Sequence, residues 1–195
     1  MHILIAALHR PTKPTGVCRH AASLAQCLAD TQEVTKVTLI VGSWQQHYFE
    51  KWFDSNKIEL IPIDLKYSSF ARNIWFLFGL PKLANTLNPD IVHMSFPFPF
   101  FRPFFLSPIV STIHDFYPYE NPEVFGFPNV LFNRLFLKVC LNNSDGLSCV
   151  SQSTLNSLKT YFPKLDRRKS ITSIYNFVDF NNIIPQKPDC LNLSE

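Results

Sequence analysis

Apolar residues in this chain fall into short unbroken runs, separated by longer stretches in which they recur every three or four positions. His2–Ala7 is the first run and reads as a strand. Thr15–Asp30 follows as a helix, with Val17, Ala21, Leu24, Ala25 and Leu28 on one face. Val37–Val41, closed by Gly42, is a second strand, and Ile58–Ile63 is a third whose Pro62 suits an edge position. A helix-rich stretch from about Phe70 to Leu87 leads to a fourth strand at Asp90–Met94. Pro108–Ile113 is the fifth, followed by a helix over about Val130–Leu141. Leu147–Val150 is the sixth, and Ser151 suits the N-cap of a helix over Gln152–Phe162. Ser170–Tyr175 is the seventh. Strands that are apolar throughout and separated by helical crossovers imply a mostly parallel sheet buried on both faces. The expected fold is α/β: a Rossmann-like three-layer domain with seven strands over residues 1–180. From 181 to 195 the chain turns polar and Pro-containing without periodicity, which reads as a linker or tail.

A length of 195 residues suits one large domain, and 46% hydrophobic with 17% charged residues excludes disorder. A net charge of +3, with no dense basic stripe, argues against nucleic acid as a partner. Cys18, Cys27, Cys140, Cys149 and Cys190 are odd in number and never spaced CxxC, so neither a disulfide framework nor a zinc site is expected. The run Ile3–Leu8 lacks a basic leader and reads as a strand rather than a signal peptide. The apolar stretch Ile74–Leu80 meets Pro81 and Lys82 well short of the ~18 residues of a membrane span. A cytoplasmic location is expected, with peripheral membrane contact left open.

Candidate chemistry gathers where strands end, because ligands of open α/β sheets bind at the C-terminal strand edge. Val110–Ile113 delivers His114 and Asp115 to that edge. An imidazole there can donate hydrogen bonds or move protons, and Asp115 can orient it, bind a hydroxyl or simply cap a turn. His93 also ends a strand and reads as a structural neighbour. After the first strand, Gly16 opens a helix whose N-terminus favours phosphate, with Arg10, Lys13 and Arg19 nearby. A plain loop with a turn glycine is the alternative, and the absence of GxGxxG argues against a dinucleotide cofactor. Between Phe96 and Phe105 stand six Phe and three Pro, which exclude a regular helix. Such a loop can cover the core or an absent domain's face, line an acceptor pocket, or touch lipid. Asn176 and Asp179 lie in an ordinary-looking turn at the domain exit, and Arg167-Arg168-Lys169 reads as a solvated run.

Five stretches in this order resemble the N-terminal half of a GT-B glycosyltransferase of family 4, over about residues 1–180. They are Thr15–His20 with Ala22–Ala25, Asp90–His93, Thr112–Asp115, Asp145–Ser151 and Ile174–Asp179. The resemblance implies a retaining transfer of a sugar from a nucleotide-sugar donor to a glycan, lipid-linked or small-molecule acceptor, as in polysaccharide biosynthesis. No cofactor and no obligatory metal are implied. His114 would be the catalytic residue, facing the transferred sugar, and Gly16, Arg19, Asp115, Ser151, Asn176 and Asp179 would bind substrate. Two departures stand out. Thr15 occupies the place of a first glycine, and Phe177 replaces the glycine of the exit motif. The donor-binding domain of the family is expected to be missing, so the chain is expected to be inactive alone. A non-catalytic module docking on a membrane or protein through the Phe-rich loop, or a truncated remnant, are the alternatives.

Overall fold

Strands β1 (His2–Ala6), β2 (Lys36–Gly42), β3 (Ile58–Ile63), β4 (Ile91–Met94), β5 (Ile109–Ile113), β6 (Gly146–Cys149) and β7 (Ser170–Ser173) form a single sheet. Its order is β3-β2-β1-β4-β5-β6-β7, and every pairing is parallel. The computed structural model describes residues 1–9, 14–53, 55–65, 68–165 and 169–176. The Rossmann-like expectation holds, and Pro62 does lie on an edge strand. The order reverses between β1 and β4, the kind of switch point at whose C-terminal strand ends open α/β sheets bind ligands.

Each face of the sheet has its own core. On one, Ile3, Ile5, Val37 and Leu39 pack against α1 (Gly16–Ala29) and Phe49 of α2 (Gln46–Glu50). The buried stripe of α1 is Cys18, Ala21, Ala22, Ala25 and Ala29, while Val17, Leu24 and Leu28 are only half-buried. The stripe is therefore turned relative to the one expected, because alanines let the helix approach the strands closely. On the other face, Leu4, Val92, Met94, Ile109 and Ile113 meet Phe76, Leu80, Leu137 and Leu158. These come from the continuous α3 (Ser69–Ile74), a π-helical turn (Trp75–Gly79) and α4 (Leu80–Leu87), and from α6 (Asn129–Asn143) and α7 (Gln152–Tyr161). The short α5 (Tyr117–Glu120) follows β5. No helix among the described residues is long and apolar enough to cross a membrane.

The β4–β5 connection has no α-helix, and its phenylalanines fill the space a helix would occupy. Phe98, Phe100 and Phe105 are buried, and Phe98 stacks on Phe76 with ring centroids 3.6 Å apart. The turn at Arg102–Phe104 is anchored at the N-terminal edge of the sheet. Asn85 brackets it, donating to the Phe104 carbonyl (2.9 Å) and accepting from the Leu106 amide (3.0 Å). Arg102 pairs with Asp145 at 2.8 Å. The exposed Phe101 and Phe104 thus sit at the opposite edge from His114, so covering the core is this loop's main role. Only Phe96 stays near the ligand edge, against the His9 ring at 4.8 Å.

Candidate functional site

The C-terminal ends of β4, β5 and β6 and the first turns of α1 converge on a cluster of histidines. Parallel register places Thr112 of β5 beside Ser148 of β6. The Thr112 hydroxyl lies 2.9 Å from His93 Nε2, 2.9 Å from Ser148 Oγ and 3.5 Å from His20 Nε2. His20 sits on the first turns of α1 and donates from Nδ1 to Asn176 Oδ1 (2.9 Å), which joins the start of the domain to its exit. Its ring meets His114 edge to face, centroids 5.1 Å apart.

His114 donates from Nε2 to the Ser95 carbonyl (2.8 Å), and a carbonyl can only accept. The neutral ring therefore carries its lone pair on Nδ1 and offers an acceptor to a hydroxyl. Burial lowers the His114 pKa, against the opposing pull of the Ser95 carbonyl and of Asp115. His93 is pushed to about 3 by burial and then by His20 and His114, and His20 to about 4 by burial and His114. No carboxylate offsets the burial of either, so all three rings are neutral at cellular pH. The Ser95 hydroxyl beside them is fully buried and has no hydrogen-bond partner among the described residues.

The remaining expected site residues divide. Gly16 opens α1 on the solvent side, and a Cβ built there would meet nothing within 4 Å. Its φ is not positive, so the backbone there does not itself require glycine. Thr15, the N-cap, makes no side-chain cap bond to the helix. The first turn of α1 thus keeps its donors and positive dipole end without help from that side chain. Arg19 is exposed on the same turns. Asp115 accepts from the Tyr117 amide (3.0 Å) and caps a turn; the Ser95 carbonyl, not Asp115, holds the His114 ring. Ser151 caps α7 through the Thr154 amide (3.1 Å), and Thr154 in turn donates to the His114 carbonyl (3.1 Å). Asp179, Arg10, Lys13, Arg167, Arg168 and residues 181–195 lie outside the described residues.

A cavity of about 330 Å³ opens on the same edge, at the end of β2. It is lined by Pro14, Cys18, Trp44, Gln45, His47, Tyr48 and Lys51. Gln45 fixes this corner, accepting from the amides of Gly42 and His9 at 3.0 Å each and donating toward the Ala7 carbonyl (3.4 Å). β2 and β5 are separated by β1 and β4, so cavity and His114 stand ~14 Å apart at ~4.8 Å per strand. Among the described residues no group of three His, Cys, Asp or Glu side chains is placed to hold a metal ion.

The family model for Glycosyltransferase Family 4 matches residues 14–182, most of the chain. The chain belongs to glycosyltransferase family 4. Its fold is similar to that of Anabaena Alr3699/HepE, solved in complex with UDP and glucose, with a TM-score of 0.55 and 16% identity. That likeness covers 92% of this chain and 45% of the other, so the family 4 chain spans less than half the length of that protein. A search of curated proteins gave no match.

Sequence reasoning missed three residues of this strand edge. His20 was part of a motif but not a candidate, although a histidine among alanines on an apolar helix face was a signal. Thr112 also lay in a motif, but neither it nor Gln45 gave any sign of its partners, which only the fold brings together.

Proposed function

We propose that this chain supplies the acceptor-side half of a retaining glycosyltransferase. In that reaction the bond between the sugar's anomeric carbon and the donor diphosphate breaks, an acceptor hydroxyl oxygen bonds to that carbon on the same face of the ring, and its proton leaves with the diphosphate. The observation that carries the reading is the juxtaposition of His114 with the open N-terminal turns of α1. Neutral His114 accepts a hydroxyl of the transferred sugar at Nδ1 and orients it, without becoming a covalent nucleophile. The amides at Gly16 and the Arg19 charge attract the donor phosphates. Asn176 stands at the exit toward a donor-binding domain, Asp179 of the same motif is assigned to substrate binding by sequence alone, and Asp115 and Ser151 border the sugar. The cavity at Trp44 and Tyr48 receives the acceptor, a glycan, lipid-linked or small molecule of polysaccharide assembly. UDP and glucose bound to Alr3699/HepE support a nucleotide-sugar donor. No metal is required on this reading, and the setting is the cytoplasm.

Orienting both reactants is worth ~7–11 kcal/mol of barrier, so half a cleft leaves this chain inactive alone. The test is transfer from a panel of nucleotide sugars to mixed acceptors, with this chain alone and with a family 4 donor domain added in trans. Activity only on addition, and lost in His114→Ala, supports the reading. No activity from folded protein in either case favours a non-catalytic docking module, for which the exposed rings of α3 and α6 speak. Activity from the chain alone overturns the need for a second domain.

A further inference from the structure

The cavity at the end of β2 has a fixed aromatic wall. The Trp44 indole lies so close to the Gly42 backbone that a Cβ on Gly42 would meet three ring carbons at 2.4, 2.4 and 2.8 Å. Tyr48, four positions on, meets Phe49 edge to face with centroids 5.2 Å apart and lies tilted against Trp52 at 6.0 Å. Gln45 is buried between them, its side chain engaged with the backbone of Gly42, His9 and Ala7. Half-buried rings held in this way offer flat apolar faces, on which the C–H face of a sugar ring packs. At about 330 Å³ the cavity has room for a hexose ring.

The charge around this wall is of one sign. Among the residues that line it Lys51 carries the charge, and none is Asp or Glu. Residues 1–29 and 36–49, the stretches that supply most of the lining, contain Arg10, Lys13, Arg19 and Lys36 and no carboxylate side chain. Glu50, next to Lys51 in sequence, accepts from the Gln46 amide group at 2.7 Å. One ammonium beside a ring platform matches a sugar with a single negative charge. A phosphate, with nearly twice the charge and three acceptor oxygens, calls for several charged or forked donors together. The ~14 Å between this cavity and His114 separates a ring bound here from the hydroxyl that reacts. One sugar cannot occupy both places. We propose that the cavity binds a hexuronic acid within an acceptor of more than one sugar, its ring on Trp44 and Tyr48 and its carboxylate at Lys51, while another sugar of that acceptor reaches toward His114. This deepens the acceptor role given to the cavity and rests on the sugar-transfer reading.

Titration of the 195-residue chain, followed by calorimetry and tryptophan fluorescence, tests the cavity without a donor, because every residue lining it belongs to this chain. Cellobiuronic acid is compared with cellobiose, which carries a hydroxymethyl group in place of the carboxylate, and with glucose 6-phosphate. The acid is expected to bind about fivefold more tightly than cellobiose, a preference that shrinks as salt rises. Lys51→Met keeps an apolar stem without the charge. It should abolish the preference and leave cellobiose binding and the thermal melt unchanged, since Lys51 is exposed. Equal binding of the two disaccharides, a preference that survives in folded Lys51→Met, tighter binding of glucose 6-phosphate than of the acid, or no binding of the acid would each overturn the proposal. The same disaccharides, offered as acceptors once a family 4 donor domain is added, separate the two readings. Selective binding of the acid without transfer keeps the uronic acid site and counts against the transferase, whereas transfer to cellobiose with no preference for the acid keeps the transferase and overturns the acidic acceptor.

Discussion

Mild acid should destabilise this domain by charging its histidine cluster, before its carboxylates titrate. His93 is buried with Thr112 as its hydrogen-bond partner, and its pKa falls to about 3; His20, bonded to Asn176, falls to about 4. In the unfolded chain both return to ~6.5. A depressed histidine binds more protons unfolded than folded, so stability is full above ~6.5 and is lost as pH falls toward the folded values. Each unit of pH in that window costs about 1.4 kcal/mol per histidine, so at pH 5 the pair loses about 4 kcal/mol. That is a large share of the ~5–15 kcal/mol that holds a domain together. Urea melts followed by tryptophan fluorescence at intervals from pH 7.5 to 5 would measure the slope. His93→Gln keeps a polar group near Thr112 but cannot charge, and should remove about half of the slope. Equal midpoints at pH 7.5 and 5, or a slope untouched by His93→Gln, would refute the claim that these rings are held neutral by burial.

Other perturbations separate structural from functional roles. Phe98→Ala removes the ring stacked on Phe76 and should cost about 3–5 kcal/mol in urea melts, whereas Phe101→Ala, at the exposed turn, should cost under ~1 kcal/mol. Lys169 donates from Nζ to the carbonyls of Leu141 (2.6 Å), Asn142 (2.7 Å) and Ser144 at the end of α6. Lys169→Met leaves those acceptors short of a charged donor and should destabilise by about 1–3 kcal/mol in the same assay. A Cβ at Gly42 would stand 2.4 Å from two indole carbons of Trp44, so Gly42→Ala should cost about 1–3 kcal/mol in thermal melts and shift tryptophan emission. Gly16→Ala, with open space around it, should melt within ~0.5 kcal/mol of wild type. On the proposed sugar-transfer reading, the same change should weaken donor binding once a donor domain is added, measured by titration with a nucleotide sugar.

The alternation of apolar runs and amphipathic stretches determined the seven strands, their parallel sense and the helices Gly16–Ala29, Asn129–Asn143 and Gln152–Tyr161, to within a few residues. The elements depend on neighbours one to four positions apart and the parallel sense on the length of each crossover, both of which the sequence displays directly. Ser151 was legible as a cap, and Pro62 as an edge residue, for the same local reason. The position of His114 at the ligand edge followed from strand direction alone. What holds it was not legible: its ring bonds to Ser95, and Asp115, its sequence neighbour, turns away to cap Tyr117. The helix face of α1 was misread by one position because periodicity marks apolar residues and not how closely a helix approaches its sheet. The phenylalanine loop showed its composition but not its direction, and only packing buried Phe98 and Phe100 while leaving Phe101 and Phe104 outside. The histidine cluster is the extreme case. His20 and Asn176 are 156 positions apart and meet only because seven parallel strands end at one edge. Local pattern sets each element, but the burial that neutralises three imidazoles depends on contacts between elements that the sequence does not order.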